Sequence, residues 1–231
     1  MKPKSSTVFI DGPSGQLALR VWRAPVEKVE KAVSVEEATV KECNAKEPTT
    51  PAQPPDLVII SHPHPEFGGT MDNKVVTTLE RAFQGLGLST VTYNFRGVGT
   101  SEGVYDGGVG EQLDLKAVFD WASAHLDFNK RVLAGFSFGA YVTLCAQPYL
   151  KADRILVVAP PVGLYDFSVI EPLTVPWDLI VGLEDEVVNV PEILDWAMLN
   201  PLKPGVYGRS SASHFFHGQL IWLKKMITSL Y

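Results

Sequence analysis

Ser137 stands between two glycines in "AGFSFGA", with an apolar run before it and another after it. A lone hydroxyl in such a setting suits nucleophilic attack on a carbonyl carbon. The spacing Gly135-Phe136-Ser137-Phe138-Gly139 is G-x-S-x-G, the nucleophile elbow, in which a sharp strand-to-helix turn lifts the serine clear of the backbone. Side chains at the two flanking positions would strike neighbouring elements, so glycine is required there. The amide of Phe138 then opens a helix and points where an oxyanion would form. A serine needs a base, and the base needs a carboxylate to orient it. In chains with this elbow the order is serine, acid, histidine. Of the five histidines, His62, His64, His125, His214 and His217, only the last two follow an acidic loop downstream of Ser137. His214 is preferred, because it lies between the last strand and the final helix; His217 would sit along that helix. Asp185 in "LIVGLEDEVV" is the preferred acid, flanked by Glu184 and Glu186. Asp178 falls inside a strand and Asp195 inside a helix.

These residues require elements to hold them. "DLVIISH", "RVLAGF", "DRILVVAP" and "VPWDLIVG" are largely apolar, as strands covered on both faces are, and "LSTVTYNF" reads as a further strand. Between them run amphipathic helices. One starts near Asp72 with Val75, Leu79 and Phe83 at helical spacing, and one turns Leu115, Val118, Phe119 and Ala122 inward. "PEILDWAML" and "HFFHGQLIWLKKMITSLY" read as two more, and "STVFID" with "LALRVW" as a leading pair of strands. Alternating strands and helices predict an α/β protein with a mainly parallel sheet between two helical layers. In such sheets chemistry gathers at the carboxyl ends of the strands, so the loops after His62, Asn94, Phe136, Ala159 and Gly182 should share one edge.

At 231 residues and 45% hydrophobic content, a single domain spanning 1–231 is expected. Ala24–Pro55, rich in Glu, Lys, Thr, Ala and Pro, reads as an inserted low-complexity surface loop with a short helix near Val26–Val40. A net charge of -6 argues against nucleic-acid and anionic-membrane partners. Two scattered cysteines form neither a disulfide framework nor a zinc site. With no signal-like apolar start and no membrane-length apolar run, a cytoplasmic protein is expected.

"HPHPEFGGTMDNKVV", "YNFRGVGTSEG", "GFSFGAYV", "GLEDEVV" and "HFFHG" together resemble the α/β-hydrolase superfamily, and within it a bacterial branch of small serine hydrolases. The resemblance covers Asp56 to the C-terminus and the two leading strands, and leaves out Ala24–Pro55. It implies a Ser137–Asp185–His214 triad, an eight-stranded mostly parallel sheet with an antiparallel second strand, and esterase-type activity. Relatives are expected to carry an acidic residue where this chain has Ser213.

The second oxyanion donor should come from the loop after "DLVIISH". Pro63 and Pro65 have no N–H, which leaves the His64 amide, with that of Phe67 as the alternative. His62 and His64 could suggest a metal, but Glu66 is the only nearby third ligand. No metal and no cofactor are expected, and His62 is read as tying down neighbouring loops such as that of Arg96. Arg96 itself suits either a loop packed on the elbow or a contact to substrate. About fifteen residues separate the sixth strand from the acid strand, too few for a cap domain. A small acyl pocket lined by Phe67, Phe136, Phe138, Leu164 and Tyr165 follows. The leading expectation is hydrolysis of a small-molecule carboxylic ester through an acyl-enzyme. A thioesterase, an amidase or peptidase with the same triad, or a non-catalytic binding protein remain alternatives.

Overall fold

The computed structural model describes residues 5–25 and 53–231. Most of the Ala24–Pro55 segment, with the expected helix near Val26–Val40, lies outside the described residues. The chain opens with two strands, β1 (Ser6–Gly12) and β2 (Gly15–Trp22), paired as an antiparallel hairpin. Then β3 (Leu57–Ser61), α1 (Lys74–Gly85), β4 (Ser89–Tyr93), α2 (Val109–His125), β5 (Arg131–Phe136) and α3 (Phe138–Ala146) follow. The remainder is β6 (Arg154–Val158), β7 (Trp177–Gly182), α4 (Val190–Leu199), β8 (Gly205–Arg209) and α5 (Leu220–Leu230). All eight strands form one sheet in the order β1-β2-β4-β3-β5-β6-β7-β8. β2 runs antiparallel to β1 and β4, and every later pairing is parallel.

Strand alternation divides the core in two. Leu57, Ile59, Leu133, Ile155, Val157 and Leu179 face one side and pack with the apolar residues of α2, α3 and α4. Val58, Ile60, Val132, Ala134, Leu156 and Ile180 face the other and meet α1 and α5. With both faces covered, β3, β5 and β6 have no polar side to show and read as largely apolar runs, whereas β4 buries Ser89, Thr90 and Thr92. Between β6 and β7 there is only a single 3-10 turn, Phe167–Val169, and no cap domain. No helix among the described residues is long and apolar enough to cross a membrane.

Two boundaries differ from those the sequence suggests. Asn73, not Asp72, caps α1: its Oδ1 accepts from the Val75 amide at 2.8 Å. Asp72 instead pairs with Arg20 at 2.6 Å. The last helix begins at Leu220, not at His214, because Phe216 takes φ 53° and breaks the helical path.

Candidate active site

The elbow is built as its sequence requires. Ser137 has φ 53° and ψ −121°, a conformation that only over-determined surroundings impose on a side-chain-bearing residue. A Cβ on Gly135 would stand 2.3 Å from the Gly139 carbonyl oxygen. One on Gly139 would stand 2.4 Å from that of Ser61 and 2.5 Å from that of His62. The two glycines therefore let α3 start directly against the ends of β3 and β5. Ser137 sits at the first turn of α3, and its amide bonds to the Val158 carbonyl at 2.9 Å, tying the turn to β6.

Two further loops converge on it. The loop after β7 and the loop after β8 are stitched together by Leu183 N–H to Arg209 O at 2.9 Å and Glu184 N–H to Ala212 O at 3.0 Å. Asp185 leaves the first of these loops nearly fully buried, with a side-chain exposure of 1%. Its Oδ1 accepts from the amides of Val187 at 2.9 Å and Val188 at 3.0 Å. Its Oδ2 lies 2.7 Å from His214 Nδ1, and His214 Nε2 lies 2.9 Å from Ser137 Oγ. A carboxylate only accepts, so Nδ1 carries the proton and Nε2 is left to accept from the serine hydroxyl. The His214 amide donates to Glu186 Oε2 at 3.1 Å, so neighbouring acids hold the backbone and the ring of one histidine. His217, three residues on, is exposed and stacks on Phe215.

The loop after β3 faces the serine from the other side. The His64 carbonyl accepts from the amides of Phe67 at 3.2 Å and Gly69 at 2.9 Å, and its Nδ1 accepts from the Glu66 amide at 3.2 Å. The Phe67 amide is thus committed to the turn and is removed as an oxyanion donor. The His64 amide makes no hydrogen bond among the described residues, and neither does the Phe138 amide at the start of α3. His62 is fully buried with both ring nitrogens engaged. Nδ1 donates to the Pro63 carbonyl at 2.6 Å, and Nε2 accepts from the Phe95 amide at 3.0 Å. Burial pulls its pKa down to about 4, keeping it neutral. It ties the β3 and β4 loops together, beside Arg96. Arg96 does not reach the site: it bonds Asp114, a fully buried carboxylate, through Nε at 3.0 Å and Nη2 at 2.7 Å. Among the described residues no cluster of three or more His, Cys, Asp or Glu side chains could hold a metal ion.

Ser137 and His214 open into a cavity of about 350 Å³. Its walls are Pro63, His64, Phe67 and the Gly68–Gly69 turn on one side, and Val187 and Phe215 on the other, with Asn73 also lining it. Phe67 is thus where the sequence places it, and the other expected wall residues are not. Phe136 is fully buried beneath the His214 ring, at 5.2 Å between centroids, because strand parity turns it to the α1/α5 side. Phe138 is likewise buried, in the opposite core layer. Leu164 is 60% exposed away from the cavity. Tyr165 stacks on Tyr141 at 4.6 Å, drawn there by the aromatic cluster behind the elbow. Val187 and Phe215 were recoverable, since they lie two residues and one residue from Asp185 and His214.

Residues 36–192 match the model of the X-Pro dipeptidyl-peptidase (S15) family. Over 152 residues the chain is 35% identical to an uncharacterized protein of Rickettsia prowazekii, an alignment spanning 64% of this chain and 63% of that protein. The match therefore covers less than two thirds of the Rickettsia protein's length. An α/β serine hydrolase without a lid from Xanthomonas campestris superposes with a TM-score of 0.82 at 37% identity, covering 99% of this chain and 94% of that one. An α/β serine hydrolase homologue from Coxiella burnetii gives 0.81 at 38% identity, with 97% and 96% covered. The chain belongs to the X-Pro dipeptidyl-peptidase (S15) family and, with it, to the α/β-hydrolase superfamily.

Proposed function

We propose that this protein is a serine hydrolase that cleaves small, uncharged carboxylic esters through an acyl-enzyme intermediate. The observation that carries the reading is the chain Asp185–His214–Ser137, at 2.7 Å and 2.9 Å, opening into an apolar cavity. Ser137 Oγ attacks the carbonyl carbon while His214 Nε2 takes its proton. His214 returns that proton to the leaving alcohol, and then activates water for deacylation. Asp185 holds the imidazole in the tautomer that can accept. The free amides of Phe138 and His64 supply the oxyanion donors.

The family name points to peptides, yet the cavity favours esters. A dipeptidyl substrate brings a protonated amino terminus, which in a confined site needs a carboxylate to receive it. Among the described residues no Asp or Glu lines the cavity. At about 350 Å³ it lies at the small end of ligand sites, which suits acyl chains of about two to six carbons. The test is labelling by a fluorophosphonate, followed by kcat/KM for p-nitrophenyl esters from acetyl to palmitoyl and for Gly-Pro p-nitroanilide. Labelling that Ser137→Ala abolishes, with turnover peaking at short esters, is expected. Preferred cleavage of the anilide would replace the ester reading with the peptidase one, and absence of labelling would leave a binding protein.

A further inference from the structure

Asn73 has two functions available to it, and its helix cap uses only one. Its Oδ1 is fixed on the Val75 amide at 2.8 Å. That bond sets which end of the side-chain amide is oxygen and which is nitrogen. Nδ2, with two N–H donors, has no partner among the described residues, and the residue lines the cavity that holds Ser137 and His214. The surrounding wall offers a substrate little else of this kind. Phe67, Val187, Phe215 and Pro63 are apolar, and His64 is occupied on Nδ1 by Glu66 N–H and on Nε2 by the Tyr105 hydroxyl at 3.1 Å. Among the described residues no Lys or Arg lines the cavity either, so an anionic substituent would meet no counter-charge from them.

We propose that Asn73 is a specificity-determining residue whose Nδ2 donates to an uncharged oxygen acceptor of the substrate, an ether, carbonyl or hydroxyl oxygen set away from the scissile ester. The preferred substrates are then oxygenated short esters, not plain alkyl ones. This inference rests on the ester reading above. A site with a fixed donor discriminates against a ligand lacking the acceptor, because the desolvated N–H is left unmatched.

Asn73→Asp separates this role from helix capping. Aspartate caps as well as asparagine, so α1 keeps its Val75 bond, but the donor becomes an acceptor. The assay compares p-nitrophenyl hexanoate with its 3-oxa, 4-oxa and 5-oxa analogues, and phenyl butyrate with the methoxyphenyl butyrates, which place the oxygen on the alcohol side. The readout is the oxa-to-parent ratio of kcat/KM, each variant serving as its own reference for intrinsic reactivity. In the unaltered protein at least one oxygenated ester should gain over its parent, and Asn73→Asp should lower that ratio about tenfold at an unchanged melting temperature. Equal ratios in the two proteins across both series, with the parent esters turned over, would overturn the role of Asn73 alone. Absence of turnover of every ester would overturn the ester reading and this inference with it.

Discussion

Asp185→Asn gives the most direct test of the proposed triad, because the structure fixes how the new amide must sit. Oδ1 receives two backbone donors, Val187 N–H and Val188 N–H. An asparagine keeps both only by placing its carbonyl oxygen there, which sends its NH₂ to the Oδ2 position, 2.7 Å from His214 Nδ1. Nδ1 must then accept, so the proton moves to Nε2, and Nε2 can no longer take a proton from Ser137. The fold has little to lose, since the two loop bonds persist and no volume changes. The expected cost is about 10⁴-fold in kcat, or about 5 kcal/mol of barrier. The assay is kcat on p-nitrophenyl butyrate beside a thermal melt. Glu186→Gln is the control: among the described residues its side chain hydrogen-bonds the His214 amide, from an exposed position, and the change should alter kcat less than about threefold. Activity of Asp185→Asn within tenfold of the unaltered protein, at an unchanged melting temperature, would refute the assignment of Asp185 as the residue that sets the imidazole tautomer.

Gly139→Ala should destabilise by about 1–3 kcal/mol and lower activity with it, because the added methyl meets the Ser61 and His62 carbonyl oxygens, which are backbone and cannot rotate away; a urea midpoint equal to that of the parent would contradict this. Arg96→Met strands the buried Asp114 carboxylate and should cost about 3–5 kcal/mol, while Arg96→Met with Asp114→Leu should recover part of the loss, both read by chemical denaturation. For pH, burial holds the folded His62 at about 4, below its unfolded value near 6.5, so the unfolded chain binds the extra proton. The contribution to stability is complete above pH 6.5 and is lost as pH falls toward 4, about 3 kcal/mol in all. His62→Gln should flatten that part of the pH–stability curve, and a curve identical to the parent's would show that the dependence arises elsewhere. Replacing residues 27–52 by a short Gly-Ser link should leave kcat within about twofold. The segment departs and returns where Ala24 N–H bonds Ser89 Oγ and Ser89 N–H bonds the Asp56 carbonyl, at the edge of the sheet opposite Ser137.

The parts of this protein that were legible in its sequence are set by near neighbours in the chain or by the rule that loops at the carboxyl ends of parallel strands share one edge. Gly135 and Gly139 announce the elbow by their spacing about Ser137 alone, although the close approaches they permit include the Ser61 and His62 carbonyls on a distant strand. The sheet is legible because Val58 and Ile60 must face one core and Leu57 and Ile59 the other. The proposed order Ser137, Asp185, His214 is the one expected of chains with this elbow, in loops that end strands at one edge. The cavity wall was harder to read because it depends on where rings turn. Phe136 shows that even this was partly available. It follows Val132 and Ala134 at period 2, so it had to join their side of the sheet under His214 and could not line the cavity. Tyr165 was beyond reach, since its place on Tyr141 is set by a loop packing on a helix twenty-four residues earlier.

Three departures from local rules lie at the carboxyl ends of the strands. Ser137 takes a backbone conformation suited to glycine, His62 is a buried imidazole held neutral, and Phe216 adopts positive φ just after His214. Each would be unfavourable alone, and each is held by rigid partners: α3 on the β3 carbonyls, the Phe95 amide and Pro63 carbonyl on His62, and Asp185 with Glu186 on His214. Well-formed sequences break local rules chiefly where function requires it. That these three departures gather near the Ser137 hydroxyl is a physical reason to place the chemistry there that does not depend on the likeness to any relative.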